Sequence, residues 1–366
     1  MDEQLHKRLA LREQENALRT LPPSSTFLEF SSNDYLGLAS RVKTSQQLSN
    51  GSGGSRLISG NHKLFVEVEN ELAQFYNTDA TLIYNSGYDT NIGLFSCLLQ
   101  KGDTYIYDQY IHASVRDGIR LSNANSFAFE HNNLTSLEQK LQNAVGKKVV
   151  IVESIYSMDG DIAPLTEIAE LCQKHQAELV VDEAHATGVF GTHGQGLVSQ
   201  LKLENKVYAR IHTFGKALGV HGACIAGSET LKQYLVNFSR SFIYTTALPE
   251  HSVAAIQQAH LLCANAHHER KTIKENIMQF RNELSPTVKN HLIASCSPIQ
   301  CIICPGNVRV KELAATLQEM QFDVKAILHP TVAKGEERIR ICLHANNTSE
   351  EINALVKAIN THFPNV

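Results

Sequence analysis

KVVIVESIYSMDGDIAPLTEIAELCQKHQAELVVDEAH, residues 148–185, contains two short apolar runs dense in Val and Ile, with a helix-period segment between them. KVVIVES (148–154) and ELVVDEAH (178–185) read as buried strands, and LTEIAELCQKH (165–175) reads as the helix that joins them. Two strands linked in this way lie parallel through a right-handed crossover. Working outward, LFVEVENELAQFY (64–76) is predicted to be a helix, and TLIYN (81–85), YIYD (105–108), SFAFE (126–130), ARIHTFGKA (209–217) and ACIAG (223–227) to be strands. The pattern predicts an α/β fold with a mostly parallel sheet covered on both faces.

After about residue 255 the pattern changes: a long polar helical region (251–283) leads to strands near 298–304, 323–328 and 337–343, with helices at 309–320 and 349–361. That alternation suits a smaller α+β C-terminal domain. Residues 4–19 form an irregular amphipathic helix that should lie on something else, and Pro22-Pro23 is expected to stop it. The predicted organisation is an N-terminal helix and arm (1–40), a large domain (41–255) and a small domain (256–366).

Composition narrows the function classes. The 366 residues are 43% hydrophobic and 19% charged, with a formal net charge of −4, so no basic excess exists to attract nucleic acid. No apolar run reaches a membrane span, and the opening MDEQLHKRLALREQENALR is too charged for a signal peptide, so a cytoplasmic enzyme is expected. Eight scattered cysteines read as reduced, buried small hydrophobes. Cys301 and Cys304 form a single CxxC, but SPIQCIICPG reads as an apolar strand ending at Pro305-Gly306, and no histidine spacing supports a metal site.

Ligands of open α/β sheets sit at the carboxyl ends of the strands. Four reactive clusters follow predicted strands: His112-Ala113-Ser114, Ser157-Met158-Asp159-Gly160, Asp182-Glu183-Ala184-His185 and Thr213-Phe214-Gly215-Lys216. A lysine in a glycine-flanked turn, with a carboxylate and a histidine at a neighbouring strand end, suits pyridoxal phosphate (PLP). The lysine bonds the aldehyde carbon, the aspartate pairs with the pyridinium N–H, and hydroxyls and backbone amides hold the phosphate. Taken singly, His112 and His185 read more readily as core histidines than as site residues. Asp159 and Asp161 read as turn formers, and Arg338 and Arg340 alternate in a strand so that both point to one face.

HTFGKALG (212–219), VVDEAHATGVFG (180–191), SMDGD (157–161), SSNDYLGL (31–38), GSGGSRLISG (51–60) and RIRICLH (338–344) occur together and in consistent order. On these motifs, from about residue 19 to 344, the chain resembles the α-oxoamine synthases, PLP enzymes of fold type I. The resemblance implies that Lys216 carries the cofactor and removes the substrate Cα proton, that Asp182 partners the pyridinium, and that His185 and Ser157 contact the phenolic oxygen. It implies that His112 stacks on the ring and orients the acyl carbonyl, that Gly87 and Tyr88 line the cofactor pocket, and that Thr213 reaches the phosphate. Thr245 or Thr246 would reach the phosphate from a second chain, which implies a homodimer with shared active sites. Asn33 and Arg340 would hold the amino-acid carboxylate, with Arg19 and Thr331 on the acyl-thioester side.

The activity so implied is a decarboxylative condensation of an amino acid with an acyl thioester. The GSGGSRLISGNH loop and compact length look most like the member that joins L-alanine to a pimeloyl thioester in biotin biosynthesis. Glycine with acetyl-CoA, or another pair within the family, is the alternative. Aminotransfer and a non-catalytic partner subunit are disfavoured by the SMDGD motif and by Lys216 in full context.

Overall fold

Runs such as Val149–Val152 have no polar face to offer solvent, so they form the interior of a sheet. The computed structural model describes residues 1–21, 26–44 and 47–364, and it divides into two units. The larger comprises Leu36–Tyr156 and Ile162–Arg270; the other comprises Met1–Tyr35, Ser157–Asp161 and Lys271–Val366. The N-terminal arm and the SMDGD turn thus group with the C-terminal third, against boundaries expected after residues 40 and 255.

The larger unit carries seven strands: β1 (Ala80–Tyr84), β2 (Thr104–Asp108), β3 (Asn125–Phe129), β4 (Lys148–Glu153), β5 (Glu178–Asp182), β6 (Ala209–Thr213) and β7 (Ala223–Gly227). Their order is β1-β7-β6-β5-β4-β2-β3. Every pairing from β6 to β3 is parallel, and β7 is antiparallel to both its neighbours. The reversal follows from the short β6–β7 connection, which carries no crossover helix and turns back through Gly219 (φ +66°) and Gly222 (φ +125°). A Cβ at Gly219 would strike the backbone of Ala39. This reversing loop is what holds Lys216 at the end of the sheet.

Val150, Ile151, Val152, Val180 and Val181 are fully buried, each contributing about 1.5–3 kcal/mol of transfer free energy. The expectation of a sheet covered throughout fails at β3, where residues 125–128 are exposed, because it is the edge strand with a partner on one side only.

In the second unit β8 (Ile299–Ile303), β9 (Lys325–Ile327) and β10 (Arg338–Cys342) form an antiparallel sheet in the order β9-β10-β8. Cys301 lies within β8 and donates to the Met158 carbonyl (3.2 Å). The arm joins this unit through Leu28–Glu29, which pairs in parallel with Phe322–Asp323. The N-terminal helix spans Asp2–Gln14 and buries none of its side chains. It ends earlier than expected because Asn16 adopts φ +52° and Ala17 N–H turns back to the Arg12 carbonyl (2.8 Å). Pro22-Pro23 lies outside the described residues. The long helical region is two helices, Glu250–Asn265 and His267–Glu283.

Behind β6 lies a buried pair of histidines. His260 Nδ1 donates to the Ile256 carbonyl (2.7 Å) and its Nε2 accepts from the Tyr76 hydroxyl (2.9 Å). Tyr76 stacks on His212 at 3.7 Å. Burial lowers the pKa of His212 and brings that of His260 down to about 4. Both rings are neutral in the native protein, whereas an unfolded histidine takes a proton near pH 6.5. Their stabilisation is therefore complete above that pH and is lost as pH falls, by roughly 1.4 kcal/mol per pH unit per histidine, down to about pH 4 for His260. The urea midpoint is expected to drop between pH 7.5 and 5, less steeply in His260→Gln; equal slopes would show that His260 is not a source of the acid sensitivity.

Candidate active site

β7 is antiparallel to both β1 and β6, so β1 runs in the same direction as the parallel strands and its carboxyl end lies at the same edge of the sheet. Six elements deliver side chains to that edge. Asp182 is the last residue of β5, Thr213 of β6 and Glu153 of β4; Lys216 follows β6. Gly87 opens the helix Gly87–Phe95 after β1, and His112 caps the helix Ala113–Leu121 after β2. They enclose a cavity of about 150 Å³ whose wall also includes Tyr88, Asn91, Ser114 and His185.

Lys216 Nζ lies 2.7 Å from His185 Nε2. Asp182 is held at both oxygens, Oδ1 by the Ala184 N–H (3.0 Å) and Oδ2 by Asn91 Nδ2 (3.1 Å). His112 has a lowered pKa, chiefly because burial disfavours its cation and secondarily through Lys216, with Asp182 opposing. The Glu153 carboxyl is pushed well up, first by burial and then by Asp182. Its Oε1 and the Oδ1 of Asn91 are buried without a hydrogen-bond partner, so this polar wall is left incomplete by the protein itself.

These residues fit PLP. Lys216 is the one primary amine on the wall among the described residues. Asp182 offers a fixed carboxylate for a ring N–H. The first-turn N–H groups of Gly87 and Tyr88 lie at a helix start suited to a phosphate. A Cβ on Gly87 would sit 3.2 Å from Thr213 Oγ1, so glycine keeps that approach open.

Of the sequence-derived site residues, the structure brings together Gly87, Tyr88, His112, Asp182, His185, Thr213 and Lys216. Thr245 instead lines a separate small cavity with Arg56 and Tyr84, its hydroxyl accepting from Asn85 Nδ2 (3.0 Å), which also donates to the Thr246 carbonyl (2.9 Å). The remaining residues lie in the second unit. There Arg340 donates from Nη2 to Asn33 Oδ1 (2.9 Å) and from Nε to the Ser157 carbonyl (2.8 Å). Arg338 is buried and paired with Asp159, in a turn where Gly160 takes φ +76°. Arg340 has no carboxylate at ion-pair distance among the described residues. Arg19 Nη2 donates to Thr331 Oγ1 (3.2 Å), and both line a cavity of about 210 Å³ with Arg12 and His329.

Sequence reasoning missed Asn91 and Glu153, and it placed Ser114 in the cluster after the second strand without giving it a role. Asn91 stands four residues after Gly87, one helical turn, so its spacing placed it on the Gly87 face. Glu153 closes a strand just as Asp182 does.

A sheet-end lysine beside a buried aspartate and two histidines defines a PLP-type site, and the chain belongs to the aminotransferase class I and II family, whose sequence profile matches residues 25–359. Among its relatives, the 8-amino-7-oxononanoate synthase of Emericella nidulans is 39% identical over 97% of this chain and 94% of that protein. The solved 8-amino-7-oxononanoate synthase of Francisella tularensis aligns with a TM-score of 0.77 at 28% identity, over 93% of this chain and 98% of that one. Serine palmitoyltransferase from Sphingomonas wittichii aligns with a TM-score of 0.89 at 25% identity, over 98% of this chain and 96% of that one. A structure of SPT holds PLP.

Proposed function

We infer that this chain condenses L-alanine with a pimeloyl thioester, releasing carbon dioxide and the thiol and forming 8-amino-7-oxononanoate, a step of biotin biosynthesis. The observation that carries the reading is the 39% identity, over nearly the whole of both chains, to a relative bearing that product's name. The fold matches serine palmitoyltransferase more closely in shape, yet the sequence is nearer to the 8-amino-7-oxononanoate synthases.

When bound, PLP supplies an electron sink that stabilises negative charge at the amino-acid Cα. The chain's own groups divide the remaining work. The Lys216 amine carries the cofactor and moves the Cα proton, with His185 Nε2 close enough to orient it. Asp182 keeps the ring nitrogen protonated, and the carboxylate is held for this by Asn91 and Ala184. Thr213 and the Gly87 helix start take the phosphate, joined by Thr245 or Thr246 of a second copy in a homodimer. Asn33 and Arg340 take the substrate carboxylate, while Arg19 and Thr331 serve the acyl side. No described helix is long and apolar enough to cross a membrane, and the proposed setting is the cytoplasm.

The choice between the two arginines follows from charge. Asp159 already neutralises Arg338, so Arg340 is the one with charge to offer a carboxylate. Arg340→Ala is expected to raise KM for alanine about 10- to 100-fold, the loss of about 1.5–3 kcal/mol from a charged hydrogen bond, with a smaller change in KM for the thioester. An unchanged alanine KM would remove Arg340 from the site.

The test of the reading is thiol release by purified protein with added PLP, comparing L-alanine plus pimeloyl thioester against glycine plus acetyl-CoA. Release with the first pair supports it. Preference for the second would move the enzyme elsewhere within the family.

A further inference from the structure

His112 Nδ1 sits 2.7 Å from Ser114 Oγ and also accepts from the Ser114 backbone N–H (3.2 Å). Ser114 Oγ in turn accepts from Asn91 Nδ2 (2.9 Å), and the same Nδ2 donates to Asp182 Oδ2 (3.1 Å). The direction of every bond in this chain is fixed by counting protons. The Asn91 amide cannot be turned over, because that would set its oxygen against the Asp182 carboxylate oxygen. Asn91 therefore donates to both Ser114 and Asp182. The Ser114 backbone N–H can only donate, so His112 Nδ1 presents its lone pair there, and the Ser114 O–H donates to that same nitrogen. A nitrogen that accepts from both an O–H and an N–H carries no proton, so the ring proton resides on Nε2.

We propose that Ser114 and Asn91 are positioning residues: their hydrogen-bond chain fixes His112 as its Nε2–H tautomer, a donor and not a base, and ties that ring to the Asp182 carboxylate. Ser114 is fully buried and Asn91 nearly so, so water does not compete for these bonds. The arrangement separates two tasks on one cavity wall. Lys216 is left as the group that moves protons, and His112 presents a fixed N–H suited to an acyl oxygen on which negative charge develops. The statement about the acyl oxygen rests on the condensation reading above; the statement about the tautomer does not.

The titratable groups acting on His112 are Asp182 and Asp117, which favour its cation, and Lys216, which opposes it. The Glu153 carboxyl stands on the same cavity wall, itself pushed well up by burial. Donation of the Ser114 O–H to Nδ1 holds the ring neutral, because a proton on Nδ1 would end that bond.

The test is nitrogen-15 NMR of the His112 imidazole in the full-length protein without substrate, followed across pH in wild type, Ser114→Ala and Asn91→Ala. The expected wild-type spectrum shows one population, protonated on Nε2 and bare on Nδ1. In Ser114→Ala the ring is expected to take up its second proton at a pH higher by on the order of one unit, with a smaller rise in Asn91→Ala. The acid limb of kcat/KM for the thioester is expected to move in the same direction. A wild-type ring protonated on Nδ1, or a titration unmoved by either substitution, overturns the proposal. These spectra need no turnover, so failure of the condensation reading registers separately, as absent thiol release by wild type. Should Ser114→Ala not fold, the wild-type tautomer and the Asn91→Ala titration decide.

Discussion

Lys216→Ala is expected to abolish thiol release, with a loss of at least about 10³-fold in kcat. The cavity wall offers no second primary amine among the described residues, and the loop from β6 to β7 is too tightly turned, at Gly219 and Gly222, to bring a substitute across. Both tasks assigned to Nζ, holding the cofactor and moving the Cα proton, are lost at once. Reduction with borohydride in the presence of PLP should add mass to the Lys216 peptide of wild type and leave the variant unchanged. Retention of substantial turnover in Lys216→Ala would sink the assignment of this cavity as the active site.

Asp182→Asn is expected to cost about 10²- to 10⁴-fold in activity, the equivalent of about 3–5 kcal/mol for removing one partner of a buried charge pair, while some cofactor is retained. Its two oxygens already accept from Ala184 and Asn91, one each. An amide has only one acceptor, so one of those donors would face an NH2 group and lose its partner. No carboxylate would then remain opposite the ring nitrogen. Cofactor titration by fluorescence, run beside the kinetic assay, separates weaker binding from a weaker electron sink. Equal losses in both would reduce Asp182 to a binding residue, and near wild-type activity would remove it from the site.

Much of this organisation was legible because it depends on local chemistry. Runs such as KVVIVES and ELVVDEAH can satisfy their apolar side chains only inside a sheet, and β4, β5 and β7 begin within a residue of the expected positions. Lys216, Asp182, His112 and His185 were legible because each ends or follows a strand, and carboxyl ends of parallel strands gather at one edge. The rest depended on contacts distant in sequence. Which of Arg338 and Arg340 keeps a free charge is set by Asp159, 179 positions from Arg338, and alternation in a strand carries no information about that. The exposure of Phe127 followed from β3 lying at the sheet edge, a matter of strand order. The helix at the amino terminus stopped at Asn16, whose left-handed backbone is a single-residue event inside a segment with helical composition. Asn91 was overlooked because helical spacing gives only its face, and its role shows once Asp182 and Ser114 are seen on either side of its amide.

L-alanine labelled with carbon-13 at its carboxyl carbon reports both steps proposed for the site, condensation and decarboxylation, in one experiment. Incubated with a pimeloyl thioester and the PLP-loaded protein, the label is expected to leave as carbon dioxide, in equal amount to the thiol released, with an unlabelled amino ketone as product. Label retained in pyruvate, with no thiol release, would show aminotransfer in place of condensation and would contradict the account.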